Sequence, residues 1–375
     1  MRLRSSAEQQ TAHPALRKLV GVVVILLAIS LPALWAFASI DAPLHPIETR
    51  RVECALFPDA AGCDLNEVAR TFYAVTVTDA GIAAWPKARA RVVTGARLSG
   101  MLALFAISGL VYLVLAQVRG RATGVIGSLS LATLVPVAQH GFLLRPEQAA
   151  TAFGLLGVAL LVGLPAALQR RGSPGRVPLV APVCLTVLVG AMFGLAMALH
   201  QQAWIYLAVP ALALMVSVLA LVFLLPRATR GRQVALWPFR AASRRYVPWM
   251  LVVLLCSVMS YLILMQVEGE TEPSSLVPVA ESRLLPRQWW WSAPLLLFAV
   301  LGGLRMGYGV SLRLQRLRRV RPETVLFLYV AAMLMQYFLS DDSRDQLPAA
   351  AAMACLLGDG VMTAVVVLTP RLLRR

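Results

Sequence analysis

One carboxylate lies deep within an apolar stretch of the sequence, where ionised groups are rare. Asp359 stands about 12 residues into the last apolar segment, or roughly 18 Å along a helix. A carboxylate at that depth is costly unless it is protonated, paired or facing water. Gly358 and Gly360 on either side would let neighbouring helices approach closely. Asp359 is therefore predicted to be either a proton, ion or substrate site or a buried packing residue.

Two other polar residues are candidates to face this carboxylate. Arg305 lies in the inner part of the eighth apolar segment, and Gln336 lies in the ninth. A cation or a hydrogen-bond donor beside a buried carboxylate offsets the cost of burying it. With Asp359 they form the predicted polar intramembrane site for transport or for a proton. No catalytic residue is predicted.

A pair of histidines offers a second kind of chemistry. His140 and His200 lie near the outer ends of the third and fifth apolar segments. Two imidazoles at comparable depth could bind haem or a metal. With only four histidines in the chain and no accompanying motif, hydrogen bonding at the membrane interface is the favoured interpretation. The sequence predicts no metal site and no cofactor.

The five cysteines divide into two groups. Cys54 and Cys63 lie in a long segment between the first two apolar stretches, and Pro58 and Gly62 between them favour a turn. A disulfide between them is predicted in an oxidising compartment. The others fall inside apolar segments, where a thiol packs as a small apolar side chain: Cys184, Cys256 and Cys355.

Motifs of the common soluble catalysts are missing from the sequence. It contains no Walker motif, no GxSxG, no HExxH and no zinc-spaced cysteine set. The extramembrane segments are too small to hold an ATPase, so ATP-driven transport would require a separate chain. We therefore expect a protein without catalytic activity rather than an enzyme.

The composition identifies the elements that carry these residues. Apolar residues make up 59% of the 375 residues and charged residues 14%, far from the balance of soluble domains. Long apolar runs without period-two alternation indicate helices rather than a barrel. The sequence predicts an all-α polytopic membrane protein with about ten transmembrane helices. The predicted spans are 19–39, 99–117, 122–144, 150–168, 178–200, 203–225, 247–267, 289–308, 324–339 and 347–369.

The basic residues predict the orientation of these spans. Most of the 35 basic residues fall in alternate loops and at both termini, where the only acids are Glu8 and Glu323. Short loops rich in Lys and Arg stay on the cytoplasmic side, so both ends are predicted to be cytoplasmic. The triplet Trp289, Trp290 and Trp291 marks an outer interface, where tryptophan is enriched.

The predicted organisation follows from the spans and their sides. The first span carries a cleavage-like Ala36-Phe37-Ala38, but its length favours an uncleaved anchor. The segments are a cytoplasmic N-terminal segment (1–18), the first transmembrane helix (19–39), a periplasmic loop with the disulfide (40–98), five helices (99–225), a basic cytoplasmic loop (226–246), four helices (247–370) and a cytoplasmic tail (371–375). Low lysine content and many arginines and alanines indicate a bacterial inner membrane.

The order of spans and loops suggests a function. A cytoplasmic start, one span, a long outer loop and then five spans resembles the ABC-2 type exporter permeases over roughly the first 225 residues. The favoured interpretation is a permease-like transport protein, such as the membrane subunit of an exporter whose cytoplasmic ATPase is another chain. A membrane enzyme or a redox or haem protein is one alternative, and a non-catalytic envelope assembly or scaffold protein is another.

The partners follow from the charge distribution. The net charge of +17 lies in short turns rather than on a folded basic domain, which argues against nucleic acid and for an anionic inner leaflet. The basic inner loops are also predicted docking surfaces for a cytoplasmic ATPase or another membrane subunit.

Overall fold

The described part of the chain consists of helices and short connecting residues and contains no strand. The computed structural model describes residues 5–37, 54, 57, 89–134, 137, 146–169, 180–219, 230–265, 289–316, 322–339 and 346–372. Its α-helices are α1 (Ser5–Phe37), α2 (Arg89–Arg119), α3 (Arg121–Leu131), α4 (Pro146–Gln169), α5 (Val180–Leu199), α6 (Ile205–Leu219), α7 (Arg230–Met265), α8 (Trp289–Arg316), α9 (Pro322–Leu339) and α10 (Gln346–Leu372). A short 3-10 helix, Gln201–Trp204, precedes α6.

These helices confirm the predicted fold class, an all-α polytopic membrane protein. Six of the described helices are long and apolar enough to cross a bilayer, namely α1, α2, α4, α5, α7 and α10. Helices α6, α8 and α9 carry shorter apolar stretches. Each of the ten predicted spans overlaps one of the described helices. The number of crossings and their orientation remain predictions.

Several helices extend beyond the predicted spans. Helix α2 begins at Arg89, within the predicted loop 40–98, and α7 begins at Arg230, within the predicted loop 226–246. Hydropathy marks the thickness of the hydrocarbon layer, whereas Ala, Leu and Arg continue a helix past that layer because their helix propensity is high. The ends of spans and the ends of helices therefore differ.

Helix α10 lies at the centre of the bundle. Every residue from Leu347 to Gly360 is buried, and the helix packs against α3, α8 and α9. Its first half is rich in alanine, from Ala349 to Ala352 and again at Ala354. Small side chains let neighbouring backbones approach on several sides, which suits a central helix.

Helices α1 and α7 lie at the periphery. They expose large aliphatic side chains along most of their apolar length, among them Leu26, Leu27, Leu255 and Ile263. Hydrocarbon solvates such side chains as well as a protein core does, so these faces suit contact with lipid.

A tight turn joins α2 to α3. Gly120 adopts a φ of 105°, a left-handed conformation that favours glycine, and α3 then runs back along α2. Ser108 on α2 lies 2.6 Å from the hydroxyl of Ser128 on α3, and Ser128 also donates to the carbonyl oxygen of Ala28 on α1. These buried bonds fix the register of the first three helices and place the end of α2 beside α10.

Candidate functional site

Two glycines hold α10 against its neighbours on either side of Asp359. A Cβ atom on Gly358 would lie 2.9 Å from Cα of Gly127 on α3. A Cβ atom on Gly360 would overlap the carbonyl oxygen of Phe298 on α8. The absence of side chains at these positions therefore allows backbone contact with both helices. The contact at Gly360 brings α8, which carries Arg305, within reach of Asp359.

Four charged side chains meet at this point. Oδ1 of Asp359 lies 3.3 Å from Nη1 of Arg305 and 3.4 Å from Nε of Arg119. Nη1 of Arg119 lies 3.7 Å from Oε1 of Glu323. The order Glu323, Arg119, Asp359, Arg305 alternates in sign and joins α9, α2, α10 and α8. We call these four residues the charge cluster.

The surroundings of Asp359 define what this carboxylate can do. Its side chain is fully buried, and neither carboxylate oxygen accepts a hydrogen bond from any residue that the structure describes. Thr363 donates to the backbone oxygen of Asp359 and accepts a hydrogen bond from Arg305 at 3.0 Å. The two guanidinium groups therefore balance the carboxylate through charge. This arrangement suits a buried charge that ties helices together.

Of the two predicted partners of Asp359, one lies beside its carboxylate and the other gives it no hydrogen bond. Arg305 lies beside Asp359, whereas Gln336 gives it no hydrogen bond and lies about 13 residues beyond Glu323, or roughly 20 Å along α9. Arg119 and Glu323 were assigned to loops by their position at the ends of apolar segments. Only the packing of α2 and α9 against α10 brings them to the site. A transport or proton role for these residues remains a prediction.

The predicted histidine pair is only partly within the described structure. His200 is half-buried at the end of α5, where its backbone nitrogen donates to Ala196 and its carbonyl oxygen accepts from Ala203. His140 lies outside the described residues, so ligation of haem or a metal by the two remains a prediction.

The predicted disulfide is also only partly within the described residues. Cys54 is buried and Cys63 lies outside the described residues, and no disulfide joins two described cysteines. The bond between Cys54 and Cys63 therefore remains a prediction. Cys184, Cys256 and Cys355 are free thiols within helices.

A second set of polar side chains is buried at the beginning of α2 and of α4. Arg97 is 2% exposed, Glu147 is 5% exposed and Gln148 is 1% exposed. Helices α2 and α4 pack against each other. Sequence reasoning counted the two charged residues among loop charges because they lie at the edges of apolar segments. We call these three residues the α2/α4 polar group.

An aromatic layer packs against α4 beyond this group. The rings of Phe193, Tyr206 and Tyr329 stack in sequence, with centroids 6.3 and 6.4 Å apart. Gly154 leaves room for the Tyr206 ring against α4, and Tyr329 donates to the carbonyl oxygen of Pro348 at 3.5 Å. This layer links α4, α5, α6, α9 and α10 and fixes the position of α4.

The arrangement of helices is similar to that of membrane glycosyltransferases. The oligosaccharyltransferase of Archaeoglobus fulgidus in the apo form matches with a TM-score of 0.57 and 14% identity, over 95% of this chain and 51% of that chain. The archaeal oligosaccharyltransferase AglB from the same organism, in complex with an inhibitory peptide and a dolichol-phosphate, matches with a TM-score of 0.57 and 14% identity, over 95% of this chain and 52% of that chain. ArnT from Cupriavidus metallidurans bound to undecaprenyl phosphate gives a TM-score of 0.49 at 17% identity, over 91% of this chain and 60% of that chain.

These matches concern the fold. The chain spans about half the length of the oligosaccharyltransferases. No protein-family model matches the sequence, and no curated protein matches it at a significant level.

The predicted permease is wrong. The structures that this fold resembles are those of a membrane oligosaccharyltransferase and not of an exporter subunit. The resemblance to ABC-2 type permeases rested on the order of spans and loops, which unrelated folds can share. The transport function and the ATPase partner were inferred from that resemblance and lose their support with it.

Proposed function

We propose that this chain is a membrane enzyme of the glycosyltransferase type, acting on a sugar carried by an isoprenoid phosphate. The observation that carries the proposal is the similarity of nearly the whole chain to the membrane oligosaccharyltransferase fold. One of the matching structures holds a dolichol-phosphate, a lipid that anchors a phosphate in the bilayer. A lipid substrate suits a protein whose described residues lie almost entirely in apolar helices.

The α2/α4 polar group is the proposed site of this activity. Ionisable residues buried at membrane depth are costly and commonly serve function, and Arg97 and Glu147 are such residues on adjacent helices. A guanidinium group can bind a phosphate through two hydrogen bonds, and a carboxylate can accept a proton from an attacking hydroxyl. We therefore assign phosphate binding to Arg97 and a general-base role to Glu147.

The charge cluster is proposed to hold the helices together, not to catalyse the reaction. Its Asp359 is enclosed by Arg119 and Arg305, and Arg119 lies about 22 residues after Arg97, or roughly 33 Å along α2. A group that contacts substrate at the beginning of α2 is thus remote from the cluster.

Transfer of a labelled sugar tests this proposal. Proteoliposomes containing the full chain would receive a radiolabelled sugar on a polyprenyl phosphate, together with a membrane extract of the native cells as the source of the acceptor hydroxyl, and loss of label from the polyprenyl phosphate to the acceptor would be followed with time. The wild-type chain is expected to release the sugar. Glu147→Gln is expected to slow release by about 100-fold, because general-base catalysis contributes on that order.

Glu323→Gln is the matched control, with the same substitution at a carboxylate in the charge cluster. It is expected to retain wild-type activity within a factor of about two, since it lies far from the proposed site. Equal release by wild-type and Glu147→Gln proteins would remove Glu147 from the mechanism, and no release by any of them would contradict the proposed activity.

We also propose the cellular setting that the sequence predicts, a bacterial inner membrane with ten crossings and both ends in the cytoplasm. The supporting observation is the alternation of basic and acidic loops. In this orientation α2 and α4 begin at the outer face, which would place the proposed reaction on the periplasmic side.

A further inference from the structure

The charge cluster ends in a cation at the surface of the bundle. Arg305 has a side chain that is 37% exposed, whereas the Asp359 carboxylate beside it is fully buried and is shared with Arg119. Each inner member of the alternating row has an opposite charge on both sides. Arg305 has an opposite charge, Asp359, only on its buried side. No other carboxylate pairs with Arg305 among the described ion pairs.

The surface of α8 beside Arg305 is apolar. Leu304 is 65% exposed, and Leu297, about two turns before it, is 58% exposed. Arg305 bonds to Thr363 on α10, so these two side chains lie along the side of Arg305 that faces away from α10. We call them the α8 apolar face. A cation beside exposed aliphatic side chains in a bilayer requires an anionic partner or the headgroup layer.

The position of Arg305 along α8 places it near a headgroup layer. It lies about 16 residues after Trp289, or roughly 24 Å along the helix axis. The tryptophans at the start of α8 are predicted to mark one interface, and hydrocarbon is about 30 Å thick. Arg305 is therefore close to the opposite interface, where lipid phosphates begin.

We infer that Arg305 binds the phosphate of an anionic phospholipid whose acyl chains lie along the α8 apolar face. Nη1 of Arg305 is directed to Asp359 and Thr363, and a guanidinium group has five N–H donors in all. The remaining donors can form charge-assisted hydrogen bonds to a phosphate, while Leu297 and Leu304, which precede Arg305 toward the middle of the bilayer, contact its acyl chains. This site is independent of the proposed sugar transfer and lies at the other end of the bundle.

Native mass spectrometry of the full chain in detergent tests this inference. The protein would be titrated with phosphatidylglycerol or with diacylglycerol of the same acyl chains, which lacks the phosphate. We expect phosphatidylglycerol adducts at concentrations where diacylglycerol gives none. Arg305→Gln is expected to weaken phosphatidylglycerol binding by about tenfold, the effect of losing charge-assisted hydrogen bonds.

Arg121→Gln is the control, because Arg121 is an exposed arginine at the start of α3 and outside the cluster. Its adducts are expected to match those of the wild-type protein. If Arg305→Gln does not fold, Arg305→Lys keeps a cation beside Asp359 and is expected to bind about threefold more weakly, because the ammonium lacks the planar fork.

Three outcomes would overturn the inference. They are equal binding of phosphatidylglycerol and diacylglycerol, unchanged binding in both Arg305 variants, and preferential displacement of phosphatidylglycerol by an equal amount of dolichol-phosphate. The last result would assign the site to an isoprenoid phosphate instead of a bilayer phospholipid.

Discussion

Asp359 shows how a charge can be kept at membrane depth. Its carboxylate has two guanidinium neighbours at 3.3 and 3.4 Å, and the backbone contact at Gly360 brings α8 close enough for Arg305 to reach it. Removing one partner of a buried pair leaves the other charge uncompensated, which costs more than the pair itself contributes.

Asp359→Ala is expected to lower the free energy of unfolding by about 3–5 kcal/mol, because Arg119 and Arg305 would lose their shared carboxylate. Thermal unfolding in detergent would measure the loss. Glu323→Ala provides the comparison, since its pair with Arg119 is longer, at 3.7 Å, and Arg119 keeps Asp359 as a partner. It is expected to cost less than Asp359→Ala, because neither arginine loses its bond to Asp359. Equal stability of wild-type and Asp359→Ala proteins would exclude a structural role for the cluster.

Two of the four residues of the charge cluster, Asp359 and Arg305, were candidates from the sequence. A carboxylate in an apolar run is visible without a structure, and Arg305 was a reasonable partner because it too lies within a span. Arg119 and Glu323 were not predicted, because their positions at the ends of apolar segments are typical of ordinary loop charges. Their role depends on which helices become neighbours, which hydropathy does not encode.

Two neighbouring glycines of α8 differ in how much space a side chain would find between α8 and α10. A Cβ atom on Gly302 of α8 would overlap the carbonyl oxygen of Leu356, whereas one on the adjacent Gly303 would lie 3.9 Å from its nearest neighbour, a side-chain atom of Leu356. Backbone atoms cannot move aside as a flexible side chain can. The two positions therefore form a matched pair for testing the α8 and α10 contact.

Gly302→Ala is expected to destabilise the protein by about 1–3 kcal/mol, because α8 must move away from α10. Gly303→Ala is expected to be neutral or to stabilise by up to about 1 kcal/mol, since alanine favours a helix more than glycine does. Chemical or thermal unfolding of both variants in the same detergent compares them directly. The packing described for α10 fails this test if the two variants are equally stable.

The elements themselves were largely predictable. Each apolar segment contains a helix, because a bilayer requires its backbone groups to bond internally. Helices α2 and α7 begin before the predicted spans, because a helix can continue beyond the hydrocarbon layer that hydropathy marks. The central position of α10 could not be read from hydropathy, although its alanine-rich first half is compatible with it.

The whole molecule is predicted to place both termini on the cytoplasmic side. Reporter domains fused after Arg375 and inserted within 268–288 test the two sides: a cytoplasmic reporter is expected to be active only at the first, and a periplasmic reporter only at the second. Reversal at one position alone would require a different number of crossings, and reversal at both would invert the orientation.

The function of the molecule was the part that sequence patterns predicted wrongly. Counting spans and loops favoured a permease, but such an order carries no information on how the helices pack. The likeness to the oligosaccharyltransferase fold lies in that packing, at 14% identity. The α2/α4 polar group was likewise hidden, because burial of Arg97 and Glu147 depends on contacts between helices.

The level of lipid-linked sugar in the native cell tests the proposed activity most directly. Isoprenoid-phosphate sugars would be extracted from wild-type cells and from cells lacking this chain, and quantified by mass spectrometry. If the chain consumes such a sugar, one species accumulates when the chain is absent. The wild-type gene is expected to restore its normal level, and the Glu147→Gln variant is not. Identical lipid-linked sugar pools with and without the chain would contradict a role in sugar transfer.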